Sequence, residues 1–193
     1  MSEELETLRL RLRRFTPEDA DELYSIYSHP ELFQYMSNEK PLLLQHIRGV
    51  INSLIVNWQK HHFGVWAVVY KREQKLIGHC GFKFLDNTGE IQIGYLLLQA
   101  YSGRGLATKA AEAALRFGFE VARLERIVAI AKPENIASIR VMKKLGMNYE
   151  KYAYYYNNNV VYYFMAREDY LSTSRLFNNS KNLEKISSLL IAS

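Results

Sequence analysis

Between Leu97 and Thr108 the chain reads Leu-Leu-Gln-Ala-Tyr-Ser-Gly-Arg-Gly-Leu-Ala-Thr. An apolar run ends, glycines at 103 and 105 flank Arg104, and an Ala- and Leu-rich stretch with helical spacing begins. The first amides of a helix have no intrahelical acceptor, and the helix dipole is positive at that end. Glycines allow unusual dihedrals and let a ligand approach the main chain. The chemistry this spacing offers is capture of a phosphate-bearing anion by backbone amides. Arg104 and Lys109 would add positive charge. The segment is not a P-loop, because no Gly-Lys-Ser/Thr follows, and it lacks the third glycine of a dinucleotide fingerprint. A tight strand-to-helix turn is the plain alternative for Gly-x-Gly alone.

Some 30 residues later stands Pro133-Glu-Asn-Ile-Ala-Ser-Ile-Arg-Val-Met-Lys-Lys-Leu-Gly-Met147. Asn135 is placed to cap a helix and Ser138 to present a hydroxyl, which could also bond the carbonyl four residues back. Upstream, Glu90 and Gln92 are two apart in Glu90-Ile-Gln-Ile-Gly-Tyr-Leu-Leu-Leu98, so they share one strand face. Cys80 lies in Gly78-His-Cys-Gly81 within an apolar strand and reads as a packed thiol. His79 alternates to the other face, so the two do not form a dyad. His61-His62 has no further ligand at metal spacing and reads as a solvated helix end.

The elements around these residues follow from periodicity and turn chemistry. Leu8-Arg-Leu-Arg-Leu-Arg13 alternates and predicts a strand with Leu8, Leu10 and Leu12 on one face. Thr16-Pro-Glu-Asp19 starts a helix that His29-Pro30 stops near Ser28. Leu42 to Lys60 is a second amphipathic helix. Gly64–Tyr70, Lys75–Phe84 and Glu90–Leu98 form a meander of strands, with turns at Lys71–Gln74 and Asp86–Gly89. Helix Gly105–Val121, strand Arg126–Ala131 and helix Asn135–Leu145 follow, the last closed by Gly146. Strands Met147–Tyr156 and Val160–Arg167 are joined by Asn157-Asn-Asn159. The order β-α-α-β-β-β-α-β-α-β-β gives an α+β fold. Its sheet is mixed, antiparallel first and then with one parallel crossover.

The chain has 193 residues, which suits one domain over residues 1–170 and a polar tail over 171–193 with a short apolar helix near Leu183 to Ile191. Hydrophobic residues make up 48% and charged residues 23%, which excludes disorder along the whole length. No apolar run approaches the ~20 residues of a membrane span. The acidic start, Met1-Ser-Glu-Glu-Leu-Glu, is not a signal peptide, and a cytoplasmic protein is expected. One cysteine excludes an internal disulfide. A net charge of +5 suits RNA, an acidic protein or a phosphorylated small molecule equally well. No metal is expected.

Three motifs at consistent spacing give the sequence a resemblance to the GNAT superfamily of N-acetyltransferases, and within it to the ribosomal-protein alanine N-acetyltransferases. They are Ile93-Gly-Tyr95, Tyr101-Ser-Gly-Arg-Gly-Leu-Ala-Thr108, and Asn135-Ile-Ala-Ser138 through Lys144-Leu-Gly-Met147. The opening Leu8-Arg-Leu-Arg-Leu-Arg13 also matches that subgroup. The resemblance covers roughly residues 7 to 170. It implies a three-layer α/β/α fold whose mixed, mostly antiparallel sheet is splayed at the middle strands. It implies acetyl-CoA as co-substrate, with the pyrophosphate on the amides of Gly103, Arg104, Gly105, Leu106, Ala107 and Thr108. The pantetheine arm would run along Leu97 and Leu98, and Asn135 and Ser138 would face the arm and the thioester.

Departures from the family pattern shift the expected roles. Ser102 stands where the superfamily has Arg or Gln, and Gln92 stands where the subgroup has Glu. Met142 occupies the place of the usual acid tyrosine, which leaves Ser138 to donate to the leaving thiolate. Glu90 is the expected base, direct or through water. An α-amine, with pKa ~8, needs less help than a lysine side chain at ~10.4. Backbone amides near Leu97 would stabilise the oxyanion. The expected acceptor is therefore a protein N-terminus or a small amine, on a monomer or homodimer, with neither membrane nor nucleic acid as partner. The competing reading is a non-catalytic basic module for RNA or an acidic protein. The tyrosines from Tyr152 to Tyr163, with Tyr35 and Trp58, could line the acceptor cleft.

Overall fold

A computed structural model of the chain describes residues 4–29 and 43–172. Tyr35 and the expected tail helix lie outside them. Eight strands form one sheet: β1 (Leu5–Glu6), β2 (Leu10–Arg14), β3 (Val65–Tyr70), β4 (Lys75–Phe84), β5 (Ile91–Leu97), β6 (Arg126–Ala131), β7 (Asn148–Tyr155) and β8 (Asn158–Ala166). Their spatial order is β1-β2-β3-β4-β5-β6-β8-β7. All neighbours are antiparallel except β5 and β6, which are parallel and pair only at Gln92 with Val128. Beyond that pair the two central strands part. The helices are α1 (Ala20–Tyr27), α2 (Leu44–His61), α3 (Leu106–Arg116) and α4 (Ile136–Lys144). This is the expected mixed, splayed α+β sheet flanked by helices.

The first strand corrects the sequence reading. Leu10 and Leu12 are fully buried, whereas Leu8 is 95% exposed. Thr7 breaks the alternation: its hydroxyl accepts from the Leu10 amide at 2.9 Å, and its own amide donates to the Leu10 carbonyl at 2.9 Å. The resulting turn divides β1 from β2 and swings Leu8 outward. The last hairpin also differs. It turns at Tyr156 and Asn157, with φ of 50° and 58°, and Asn158 and Asn159 already belong to β8. Two successive left-handed residues match the right-handed twist of a two-residue hairpin, and asparagine tolerates that conformation well.

The centre of the sheet is tightly bound. Trp58 of α2 meets Trp66 of β3 edge-on at 4.8 Å, and Trp66 meets Phe117, just after α3, at 5.1 Å. Such edge-to-face pairs add about 0.5–1.5 kcal/mol each beyond area burial. At Gly78 a Cβ would fall 2.0 Å from the Leu96 carbonyl, so only glycine lets β4 and β5 approach there. The rigid β3–β4–β5 block fixes one wall of the opening that follows.

Candidate active site

The loop after β5 is built to hold its amides open. Gln99–Tyr101 forms one tight helical turn, with the Tyr101 amide donating to Leu98 at 2.9 Å and the Ser102 amide to Gln99 at 2.8 Å. Gly103 and Gly105 then take left-handed φ of 73° and 71°. The first hydrogen bond of α3 runs from the Lys109 amide to the Gly105 carbonyl, 3.1 Å. That leaves the amides of Gly105, Leu106, Ala107 and Thr108 outside the helical ladder. A Cβ placed on Gly103 or Gly105 would meet nothing within 4 Å, so the face is open to an incoming anion.

Side chains brace this loop. The Tyr101 hydroxyl donates to the Glu73 carboxylate, and its ring packs against Tyr70 at 5.4 Å. Arg9 donates to the Arg104 carbonyl at 2.8 Å, a contact the sequence pattern did not reveal. Arg104 itself lies 5.5 Å from the Tyr101 ring. Lys109 pairs with Glu112 at 2.7 Å, so its charge is partly offset within α3.

The parting of β5 and β6 opens a cavity of about 440 Å³. Leu96 lines it; Leu97 and Leu98, the expected arm contacts, continue β5 toward the loop. The Leu98 amide donates to Ile77 at 2.8 Å. Backbone groups alternate sides along a strand. The amides of Leu97 and Tyr95 therefore face the β6 side, where the ladder has ended. Leu97 supplies a free backbone edge; Leu98 has its amide committed to β4.

Asn135 and Ser138 meet at the far wall. Asn135 caps α4, its side chain accepting from the Ser138 amide at 3.0 Å. The Ser138 hydroxyl donates to Tyr95 Oη at 3.1 Å, and Tyr95 Oη donates to the Ser138 carbonyl at 3.0 Å. The alternative of a bond four residues back is not taken. Burial pushes the Tyr95 phenol well above its usual pKa, so it stays a neutral donor. Tyr95 sits in the Ile-Gly-Tyr motif, and its partnership across 43 residues was not visible in the sequence.

Glu90 is not brought to this wall. Its carboxylate accepts from the Tyr162 hydroxyl at 2.6 Å and lies 3.8 Å from Arg126. Gln92, 7% exposed, does line the cavity and accepts from Tyr156 Oη at 3.4 Å. The Lys83 ammonium rests 4.7 Å from the Tyr156 ring. Trp58, expected near the acceptor, instead packs in the core.

His79 and Cys80 fall on opposite faces, as their alternation required. Cys80 stands level with Trp66 and Tyr95; His79 stands level with Ala67 and Leu96. Burial raises the Cys80 thiol far above its ordinary pKa, which leaves it inert. His79 lines the cavity, with Nε2 2.9 Å from the Tyr27 hydroxyl of α1. Burial, with the charge of Lys83 adding, lowers its pKa from 6.5 to about 4. The unfolded chain thus binds a proton near pH 6.5 that the folded chain refuses until about pH 4. His79 favours folding fully above pH 6.5 and loses that contribution as pH falls to 4. The expected loss is up to about 3 kcal/mol. Urea melts of the wild type and His79→Gln at pH 7 and pH 4.5 check this. The wild type should lose more stability than the variant, and equal losses would contradict it.

Comparison with known proteins identifies the family and the fold. Residues 9–148 match the family described as acetyltransferase (GNAT) domain. An N-acetyltransferase of uncharacterised role, p20 of Bacillus licheniformis, is 34% identical over 77% of this chain and 84% of its own length. A GNAT-family acetyltransferase from Bacillus anthracis has a crystal structure that superposes with a TM-score of 0.72 at 28% identity. It covers 86% of this chain and 99% of its own. A structure from Vibrio cholerae described as a ribosomal-protein-serine acetyltransferase shares the fold, with a TM-score of 0.71 at 24% identity over 84% and 97% of the two chains.

Proposed function

The chain belongs to the GNAT acetyltransferase family and is an acetyl-CoA-dependent N-acetyltransferase; from that premise we propose that its acceptor is an α-amine, at a protein N-terminus or on a small molecule. One observation carries the choice. The charged side chains lining the cavity are Lys83 and Lys132, and no carboxylate lines it among the described residues. A polyamine would bring several positive charges to a wall that offers them no carboxylate. An α-amine with pKa ~8 arrives partly neutral near pH 7 and needs no acidic counter-charge.

Acetyl-CoA supplies the activated thioester, and the residues on hand suit its parts. The open amides from Gly103 to Thr108 suit the pyrophosphate, with Arg104 beside them. The free edge of β5 at Leu97 suits the amide-bearing arm and offers an N–H to the developing oxyanion. Asn135 orders the first turn of α4, and Ser138 presents its hydroxyl to the departing sulfur. The amine attacks directly in a ternary complex, with no acyl-enzyme.

Glu90 stands outside this arrangement, held by Tyr162 and Arg126. Glu90→Gln should therefore keep turnover within about threefold of wild type from pH 6 to 9, since base catalysis by a side chain supplies ~10²-fold or more. A pH–rate profile with one accepted amine checks this, and a large loss confined to low pH would restore Glu90 as the base. The acceptor itself is tested with a panel of N-terminal peptides, polyamines and aminoglycosides, read by release of free thiol. Peptides should react and polyamines should not.

A further inference from the structure

Among the described residues lining the cavity, His79 is the only one whose side chain ordinarily titrates near neutral pH. Its Nδ1 is buried and has no hydrogen-bond partner among the described residues. Buried polar atoms in native proteins are nearly always paired, so an orphan on a ring that lines a ligand cavity, itself just beneath the cavity surface, calls for an explanation. His79 is level with Leu96 on β5. Adjacent strands lie about 5 Å apart, so the imidazole stands one strand from the backbone edge assigned to the thioester arm.

We propose that His79 is the base that takes the proton from the attacking amine, through Nδ1. This rests on the acetyl-transfer reading above. The nitrogen–carbon bond forms and the carbon–sulfur bond breaks. The electron pair of that bond leaves with the sulfur, which Ser138 meets with its hydroxyl. The proton on the amine nitrogen passes to Nδ1 and later to solvent. Nδ1 can accept only in the tautomer that carries hydrogen on Nε2, and the Tyr27 oxygen at 2.9 Å is placed to receive that N–H. Tyr27 is thus a positioning residue that sets the tautomer.

The surroundings keep the imidazole ready to accept. Lys83 on the same face of β4 and Tyr27 of α1 are the charged and titratable groups that face it; its neighbours on β3 and β5, Ala67 and Leu96, are apolar. The imidazole stays neutral throughout pH 6 to 9, so Nδ1 keeps its lone pair. A weak base serves because the amine nitrogen becomes acidic as it bonds to the carbonyl carbon.

The test measures kcat and KM for the accepted amine, and acetyl-CoA affinity, in His79→Gln, His79→Ala and Tyr27→Phe. Glutamine keeps size and polarity but cannot take the proton. His79→Gln should lower kcat by ~10²-fold with acetyl-CoA affinity unchanged. Tyr27→Phe should lower it less. Added imidazole should restore part of the His79→Ala rate, and pyrrole, which has no basic lone pair, should not. A His79→Gln enzyme within threefold of wild-type kcat overturns the proposal, as does a folded His79→Ala enzyme that imidazole leaves unchanged. If His79→Ala does not fold, the His79→Gln ratio decides alone. The wild-type rate tests acetyl transfer itself, while only the variant ratios test His79.

Discussion

Gly105→Glu should abolish acetyl-CoA binding and leave the fold largely intact. Gly105 is the residue before α3, at φ 71°, and a side chain there would point into open space. Folding therefore meets only the backbone term, about 1–2 kcal/mol for a non-glycine residue in the left-handed region. The ligand meets much more. A carboxylate would stand where the amides of Leu106 to Thr108 and the dipole of α3 attract phosphate, filling the site and reversing its charge. Calorimetric titration should show affinity falling at least ~10²-fold, beyond the loss of any one phosphate contact. Gly105→Ala separates the two effects: it carries the backbone strain without the charge and should keep most of the affinity. A folded Gly105→Glu protein with wild-type affinity would remove the phosphate site from this loop.

Ser138→Ala should lower turnover by ~10²-fold at every pH from 6 to 9. In the proposed role the hydroxyl acts on the leaving group, whose need for a hydrogen bond does not vary with the protonation of the amine. Its geometry favours the task. Tyr95 Oη donates to the Ser138 carbonyl, so the tyrosine would stay anchored if the serine turned its proton toward sulfur. That turn gives up one neutral hydrogen bond, about 1 kcal/mol. Tyr95→Phe leaves the hydroxyl without its partner and should lower turnover less than Ser138→Ala. Acetyl-CoA affinity should change little in both. Rates are compared as kcat at saturating substrates, and a Ser138→Ala enzyme at wild-type rates would assign the leaving group to another donor.

Patterns confined to one element were legible in the sequence. Strand β4 and strand β6 run between the predicted ends, and Asn135 caps α4 as its type and place required. The glycine loop's geometry was legible because its backbone requirements are local. What escaped depends on partners far along the chain. Tyr95 belongs to a motif, but its bond to Ser138 needs the sheet to bring β5 against α4. His79 could be separated from Cys80 by alternation, yet its partner Tyr27 lies 52 residues away. Glu90 and Gln92 do lie two residues apart, but Arg126 of β6 and Tyr162 of β8 hold the Glu90 carboxylate, and it does not line the opening. Leu8 failed for a local reason of another kind: a threonine side chain competing for the strand's own hydrogen bonds.

Acetyl transfer to an α-amine is open to a direct measurement. The most direct measurement offers the wild-type enzyme acetyl-CoA with an N-terminal peptide that also carries a lysine, in competition with spermidine, and locates the acetyl group by tandem mass spectrometry. The expected result is acetyl on the peptide α-nitrogen, with the lysine and spermidine left unmodified. Acetyl on spermidine or on the lysine side chain, with the α-nitrogen free, would contradict it.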